Sequence, residues 1–369
     1  MEILDRSNTK KRLSYMFSLD DRKGDEKDDF CKDYKDNLLD SLINLVKKPH
    51  LTDRILNNFT ILGSGMFGTV KKANLNLELV VKDNKNFIDD VNEIFINQFR
   101  INHDVIKKNN PNFPIIYSYI LCKPSLDKVN KDRICTNDII NPETLGDINR
   151  INQLLSKKEI KLYGIYEYIE GKTLGSFISS LSFIKLTEQE KWLVIKNILI
   201  QVFSGLDKLS QSGGYTHFDL HPGNIMINMN KSLNYTYTLT GGETVKVNDN
   251  FRAFIIDQGV SSVEYDGKIF VYDMTYIPFI PAYDIYKLIS SLYRPLANFD
   301  KYSKDYFHVK KLESLIITIF EDESIIKYIN DKPNGDIITF MNKSQNEYVR
   351  QVVDNMTYSD MVLLLLTFE

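Results

Sequence analysis

From residue 59 the chain alternates apolar and polar positions through FTILGSGMFGTVKKANLNLELVVKD, with glycines interrupting the pattern. Period-two alternation broken by turn residues predicts strand, tight turn, strand, short turn, strand: a β-meander. FIDDVNEIFINQFRIN follows, with Val91, Ile94, Phe95 and Phe99 on one helical face, which predicts a helix packed against that meander. Two apolar runs, NFPIIYSYILC and KLYGIYEYIEGKTL, read as buried strands, the second entering a turn at Gly171. LTEQEKWLVIKNILIQVFSGLDKLSQSGG then has a helical period and a glycine stop. Later segments such as VKKLESLIITIFED and NEYVRQVVDNM predict further helices.

The flanks carry less pattern. Residues 1–36 are charged and lack a helical face, which predicts a mobile tail, and NLLDSLINLVKK at 37–48 predicts a short helix leading into the folded part. Residues 123–159 have no clear pattern and receive no function. The basic cluster Lys10, Lys11 and Arg12 reads as a solvated charge run rather than a nuclear address. No internal repeat and no Pro-rich or Gly/Ser-rich linker divides the body.

Composition narrows the class. A chain of 369 residues with 43% hydrophobic content can bury one large two-lobed domain or two ordinary ones. Lys and Arg number 46 against 49 Asp and Glu, so the net charge of -3 gives no reason to expect direct nucleic-acid or anionic-membrane binding. Cys31, Cys122 and Cys135 lack the spacing of a zinc site or disulfide framework and point to a reducing compartment. The start has no apolar signal-peptide core, and MVLLLL at residues 361–366 is too short to span a bilayer. A soluble intracellular protein, cytoplasmic or nuclear, is expected. The abundance of Asn, Ile, Lys and Tyr suggests an AT-rich genome, a parasite or a large DNA virus, in which case host cell or virion is the location.

Candidate chemistry lies in four segments. Gly63, Gly65 and Gly68 form G-x-G-x-x-G followed by Val70, and missing side chains let backbone N–H groups approach a phosphate chain. These glycines fall between two strands rather than between a strand and a helix, and a third strand ends at Lys82. That context favours a nucleotide triphosphate lid over a dinucleotide fold, with Gly63, Ser64, Gly65, Gly68 and Val70 covering the nucleotide and Lys82 neutralising phosphate. Glu93 on the following helix can point at Lys82, with Asp89 or Asp90 as alternative partners. At EYIEG, the backbone of Glu167 and Ile169 offers a strand edge to an adenine.

The fourth segment is YTHFDLHPGNIMI, residues 215–227. Asp219 would be the base or orienting carboxylate for an incoming hydroxyl, and Asn224, five residues on, would turn back to a divalent metal. A zinc site from His217 and His221 is the rival reading, but Pro222 and Gly223 disfavour the helix it needs. AFIIDQGVSS then supplies Asp257 at the end of an apolar strand, where a carboxylate can hold Mg2+ bridging phosphates.

In order, these motifs resemble those of the protein-kinase superfamily over residues 62–259. Over residues 216–288 the chain more narrowly resembles the haspin-like kinases: HFDLHPGN stands for H-R-D-L-H-W-G-N, with YTYTLTGG, IIDQGVSSVEYDGKIFVYDM and YDIYKL as further likenesses. The resemblance implies an α+β, bilobal protein-kinase-like fold, with a small antiparallel β-sheet N-lobe and a larger, mainly helical C-lobe. Its divisions would be a tail and short helix over 1–50, an N-lobe with hinge over 51–169 and a C-lobe over 170–369. It also implies ATP with Mg2+ as cofactors and Ser or Thr of a protein as substrate, in that family a histone-tail threonine. Asp284 matches the aspartate that holds the catalytic loop from beneath.

The chain departs from the pattern at several points. Phe218 replaces the usual arginine, Gln258 stands where haspins carry tyrosine, and no A-P-E tripeptide precedes AYDIYKL. No acid follows Asp273 until Asp284, where haspins place an acidic cluster for a basic tail. Without the loop arginine, the segment after Asp257 would be ordered by packing of Ile269, Phe270, Tyr272, Tyr276, Ile277 and Phe279. Two rivals stay open: a small-molecule kinase of the aminoglycoside or choline kinase type, and a non-catalytic pseudokinase scaffold.

Overall fold

A computed structural model describes residues 59–64, 68–74, 78–84, 93, 96–101, 110–123, 134–136, 161–265, 268–270, 279–298, 305–332, 337–343, 351–352 and 354–368. The expected tail and helix over 1–48, together with Gly65, Asp89, Asp90, Tyr272, Asp273, Tyr276 and Ile277, lie outside the described residues. The chain divides into two compact units, one taking Pro114–Tyr168 and residues before 110, the other Asn110–Phe113 and residues from 169 onward. Antiparallel strands come first and a mostly helical region follows, so the architecture is α+β.

In the first unit, β1 (Phe59–Ser64), β2 (Gly68–Asn74) and β3 (Glu78–Asn84) form the antiparallel meander that the alternation predicts. With β4 (Ile116–Lys123), β5 (Ile134–Thr136) and β6 (Lys161–Glu167) they make one sheet in the order β1-β2-β3-β6-β4-β5. Strand β5 comes from the stretch without pattern; three residues are too few for periodicity to show. The register of β1 on β2 shifts between Ile61 and Gly63, next to the glycine loop. Of the helix expected over 87–102, the described parts are Glu93 and a π-helical turn, Ile96–Ile101. Bonding at i→i+5 puts Ile96 and Ile101 on one face, and both are buried.

The second unit is built round α3 (Glu188–Ser210), which follows the short β7 (Lys172–Thr173), α1 (Leu174–Ile178) and α2 (Leu181–Ile184). Thr187 and Glu190 close a capping box at its start, satisfying N–H groups that the first turn leaves orphaned. Every residue from Ile198 to Asp207 is buried, so this part of α3 is a core helix surrounded on all sides. The segment Asn110–Phe113 docks here. Asn110 Nδ2 donates to Gly205 O (2.8 Å), Asn112 Nδ2 donates to Ala253 O (3.0 Å) and Asn112 Oδ1 accepts from the Tyr237 hydroxyl (2.6 Å). A Cβ at Gly205 would stand 2.7 Å from that of Asn112, so glycine is what admits the segment.

After β8 (Tyr215–Thr216), the antiparallel β9 (Ile225–Asn228) and β12 (Arg252–Ile255) frame a second hairpin, β10 (Leu233–Thr238) with β11 (Thr244–Asp249). That inner hairpin buries alternate residues, including Leu233, Tyr237, Val245 and Val247, and is the YTYTLTGG insert. Then β13 (Ser262–Tyr265) pairs with β14 (Lys268–Phe270) and with β8. Helices α4 (Pro281–Ala297), α5 (Phe307–Phe320), α6 (Ser324–Asp331), α7 (Ile337–Lys343) and α8 (Tyr358–Thr367) complete the unit. Among the described residues no helix is long and apolar enough to cross a membrane.

Candidate active site

The first unit places Lys82 in the middle of β3, opposite Val70 on β2 and Gly164 on β6. Its Nζ meets Glu93 Oε2 at 2.5 Å, with Glu93 only 3% and Lys82 14% exposed. Pairing with an acid this buried holds the lysine rotamer, because moving the ammonium away would take a close countercharge from a buried carboxylate. Gly63 pairs with Val70 and Ser64 with Thr69, so the two strands close toward each other on either side of residues 65–67. The Glu167 amide is already committed to Ile115 O at 2.8 Å, and Glu167 Oε2 accepts from Ile115 N at 3.2 Å. Ile169 is buried and begins the second unit.

The second unit carries residues 217–224 as a loop held from several directions. Buried Asp284, on the first turn of α4, accepts from His217 N (2.7 Å) and Phe218 N (2.9 Å), and from the Tyr358 hydroxyl on α8. Those bonds hold Phe218 in a left-handed backbone, φ 61°, a conformation that persists in a non-glycine residue only where surroundings over-determine it. The Phe218 ring packs edge-on against Tyr283, 5.4 Å between centroids. Burial pushes the Asp284 carboxyl above its ordinary value; the charge of His217 and the bonds from Tyr358 and the two amides pull the other way.

Asp219 follows directly. Burial pushes its carboxyl up, but the hydrogen bond and charge of His221, with His217 and Lys287, outweigh burial and hold it below the usual aspartate value. His221 Nε2 lies 3.5 Å from Oδ2, and Lys287 Nζ of α4 lies 3.8 Å from Oδ1. The His221 ring folds over Gly223, whose amide donates to Nδ1 at 3.0 Å, and a Cβ on Gly223 would come within 2.6 Å of that ring. His217 is turned the other way, its Nε2 3.1 Å from Ile256 O. His217 Nδ1 accepts from the Asp219 amide at 3.3 Å while His221 faces the Asp219 carboxylate, and Pro222–Asn224 forms a single 3-10 turn rather than the helix that a shared zinc would use.

Asn224 reaches back as its spacing suggests: Nδ2 donates to Asp219 O (2.9 Å) and Oδ2 (3.3 Å), so its carbonyl oxygen is the end that could ligate a cation. Strand register then brings Asp257 to the same place. Ile225 pairs with Ile255, and Ile256 N donates to Asn224 O at 3.0 Å. Asp257 follows in a left-handed backbone, φ 66°. Among the described residues no group of three or more His, Cys, Asp or Glu could cage a metal. An Asn–Asp pair completed by phosphate oxygens and water is the form in which Mg2+ is ordinarily held, so the donors fit that ion.

Several of these partners escape sequence reasoning. His221 reads there only as half of a rejected zinc pair, and Lys287 only as a letter in YDIYKL. Tyr358 lies 74 residues from Asp284, and no spacing rule reaches that far.

No protein-family model matches the chain. A curated relative, Probable kinase 098L of Invertebrate iridescent virus 3, is 31% identical over 105 residues, 28% of this chain and 18% of that protein. The chain therefore matches less than a fifth of that relative's length. Among solved structures, the kinase domain of Mycobacterium tuberculosis PknI aligns over 55% of this chain and 60% of its own, at 13% identity and a TM-score of 0.29.

Proposed function

We propose that this chain is an ATP- and Mg2+-dependent protein kinase that phosphorylates Ser or Thr hydroxyls. The observation that carries the reading is the assembly of Asp219, Asn224 and Asp257 at the adjoining ends of β9 and β12, on a loop fixed by buried Asp284. Lys82 with Glu93 adds the cation that phosphate binding needs. The viral relative is itself a probable kinase.

Bound ATP and Mg2+ would supply the transferable phosphoryl group and most of the charge neutralisation. Asn224 and Asp257 would hold the metal, and Lys82 the phosphates. A substrate hydroxyl would donate its hydrogen bond to Asp219. Bound ATP would supply the phosphoryl group and leave as ADP, and the Asp219 carboxylate would hold the substrate hydroxyl and receive its proton. Paired with His221 and Lys287, the Asp219 carboxylate would stay ionised and orient the hydroxyl.

The finer reading is a haspin-like kinase, supported by the likeness over residues 216–288. A histone tail is a poor fit as substrate, because the segment after Asp273 lacks the acids that would receive basic residues. Labelled ATP offered against a histone tail, neutral Ser/Thr peptides, casein, choline and aminoglycosides tests the proposal. Transfer to peptides is expected, with kcat/KM for the histone tail no better than for a neutral peptide of equal length. Transfer to choline or an aminoglycoside alone would replace the reading with a small-molecule kinase. Absence of transfer to any acceptor, with ATP bound, would make the chain a scaffold.

A further inference from the structure

Gln258, immediately after the candidate metal aspartate, is 1% exposed. A polar side chain buried so fully is costly unless its groups are bonded. Gln258 Oε1 accepts from the Tyr215 hydroxyl at 2.6 Å, and Nε2 donates weakly to Ile255 O at 3.5 Å. The same hydroxyl lies 3.1 Å from Ser261 Oγ, which donates to His217 O at 3.2 Å. His217 Nε2 in turn meets Ile256 O at 3.1 Å. Residues 256, 258 and 261 are thus tied to 215 and 217, before and after Asp257 in the chain. Burial keeps the Tyr215 hydroxyl protonated well beyond its ordinary range, so it stays a donor.

We infer that Tyr215 and Gln258 are positioning residues that hold Asp257 in its left-handed backbone, ready for the metal without any loop phosphate. Turning the 257–258 segment would break the Tyr215–Gln258 bond and take from the buried Gln258 Oε1 the donor it has here, while the Tyr215 hydroxyl would keep Ser261. The metal-ready state is therefore the ground state, and a competing one is rarely populated. Gln258 at this position makes that arrangement by hydrogen bonding, where a purely apolar side chain would make it by packing. The inference rests on the kinase reading for what Asp257 does, but the latch itself can be measured without it.

The experiment uses full-length protein with Gln258→Leu, Tyr215→Phe and the double variant. Amide hydrogen exchange of residues 256–261 is followed without nucleotide, and the Mg2+ concentration giving half-maximal phosphotransfer is measured alongside. Each single change is expected to speed exchange of 256–261 and raise the half-saturating Mg2+ about tenfold, a factor typical of one buried hydrogen bond. The rate at saturating Mg2+ should hold within about twofold, and the double variant should fall short of the sum of the two singles, since both remove the shared Tyr215–Gln258 bond. Unchanged exchange at 256–261 in Tyr215→Phe, which keeps the ring and so the packing, would overturn the inference. So would a Mg2+ requirement that does not move. If no acceptor is phosphorylated by the unaltered protein, the kinase reading falls while the exchange result still decides whether the latch exists.

Discussion

Lys82 in the first unit owes its place to strand register and an ion pair with Glu93, whereas the loop carrying Asp219 in the second unit is fixed through two backbone amides by Asp284, whose carboxylate also accepts from Tyr358. The difference separates two ways of placing a reactive group. A charge that must meet phosphate needs a long cationic arm and a counterion, and a salt bridge supplies both. A carboxylate that must meet one hydroxyl needs its backbone held, and buried hydrogen bonds to main-chain N–H groups do that more tightly than side-chain contacts.

The comparison breaks most severely at Asp284. Asp284→Ala leaves the amides of His217 and Phe218 without their acceptor, each at about 1–3 kcal/mol, and removes the partner of the Tyr358 hydroxyl. Denaturant unfolding should show a loss of about 3–5 kcal/mol, as for one partner of a buried polar network. An unchanged midpoint would mean that the loop is held by other bonds. Lys82→Met should act more locally, removing the cation paired with the buried Glu93 carboxylate. About 3 kcal/mol of stability is at stake there, and Lys82→Met with Glu93→Gln should recover part of it in a double-mutant cycle.

Sequence made the first half of this comparison readable and the second half only partly so. Lys82 and Glu93 are eleven residues apart and sit on predicted elements, so their meeting follows from local pattern. Asp219, Asn224 and Asp257 are legible because a five-residue loop spacing and one hairpin bring them together. The bonds that hold them are not. His217 and Asp284 are 67 residues apart, and Tyr215 and Gln258 are 43 apart, so they meet only after helices and sheets have packed. Asp284 was accessible through its resemblance to a kinase position, while Tyr358, on α8, had no such signal. The β-meander and the long helix α3 were likewise clear in periodicity. The three-residue β5 and the π-helical turn were not, being too short or of the wrong period.

A smaller effect sharpens the contrast between two carboxyls at the loop, half-exposed Asp219 and buried Asp284 of α4. Asp219 is held below its ordinary value, so its contribution to stability is present above the unfolded-state value and lost as pH falls through the lower folded one. Asp284 is raised by burial, so its charge costs stability at neutral pH and that cost is relieved as pH falls through the raised value. For activity, the acidic limb of kcat/KM should lie below the ordinary aspartate range and move upward in His221→Gln, with a lesser shift in Lys287→Met, whose ion pair is the longer and part exposed. A limb that stays put in both variants would detach it from Asp219.

The central claim is that Asp219 serves the chemical step and Asp257 the metal and its nucleotide. Single-turnover transfer from labelled ATP, measured with equilibrium Mg-ATP binding on the same samples, separates the two roles. Asp219→Asn should bind Mg-ATP as the unaltered protein does and transfer phosphate about 10²–10⁴-fold more slowly. Asp257→Asn should lose Mg2+-dependent nucleotide binding. Near-normal transfer by Asp219→Asn, or unaltered Mg-ATP binding by Asp257→Asn, would contradict the account.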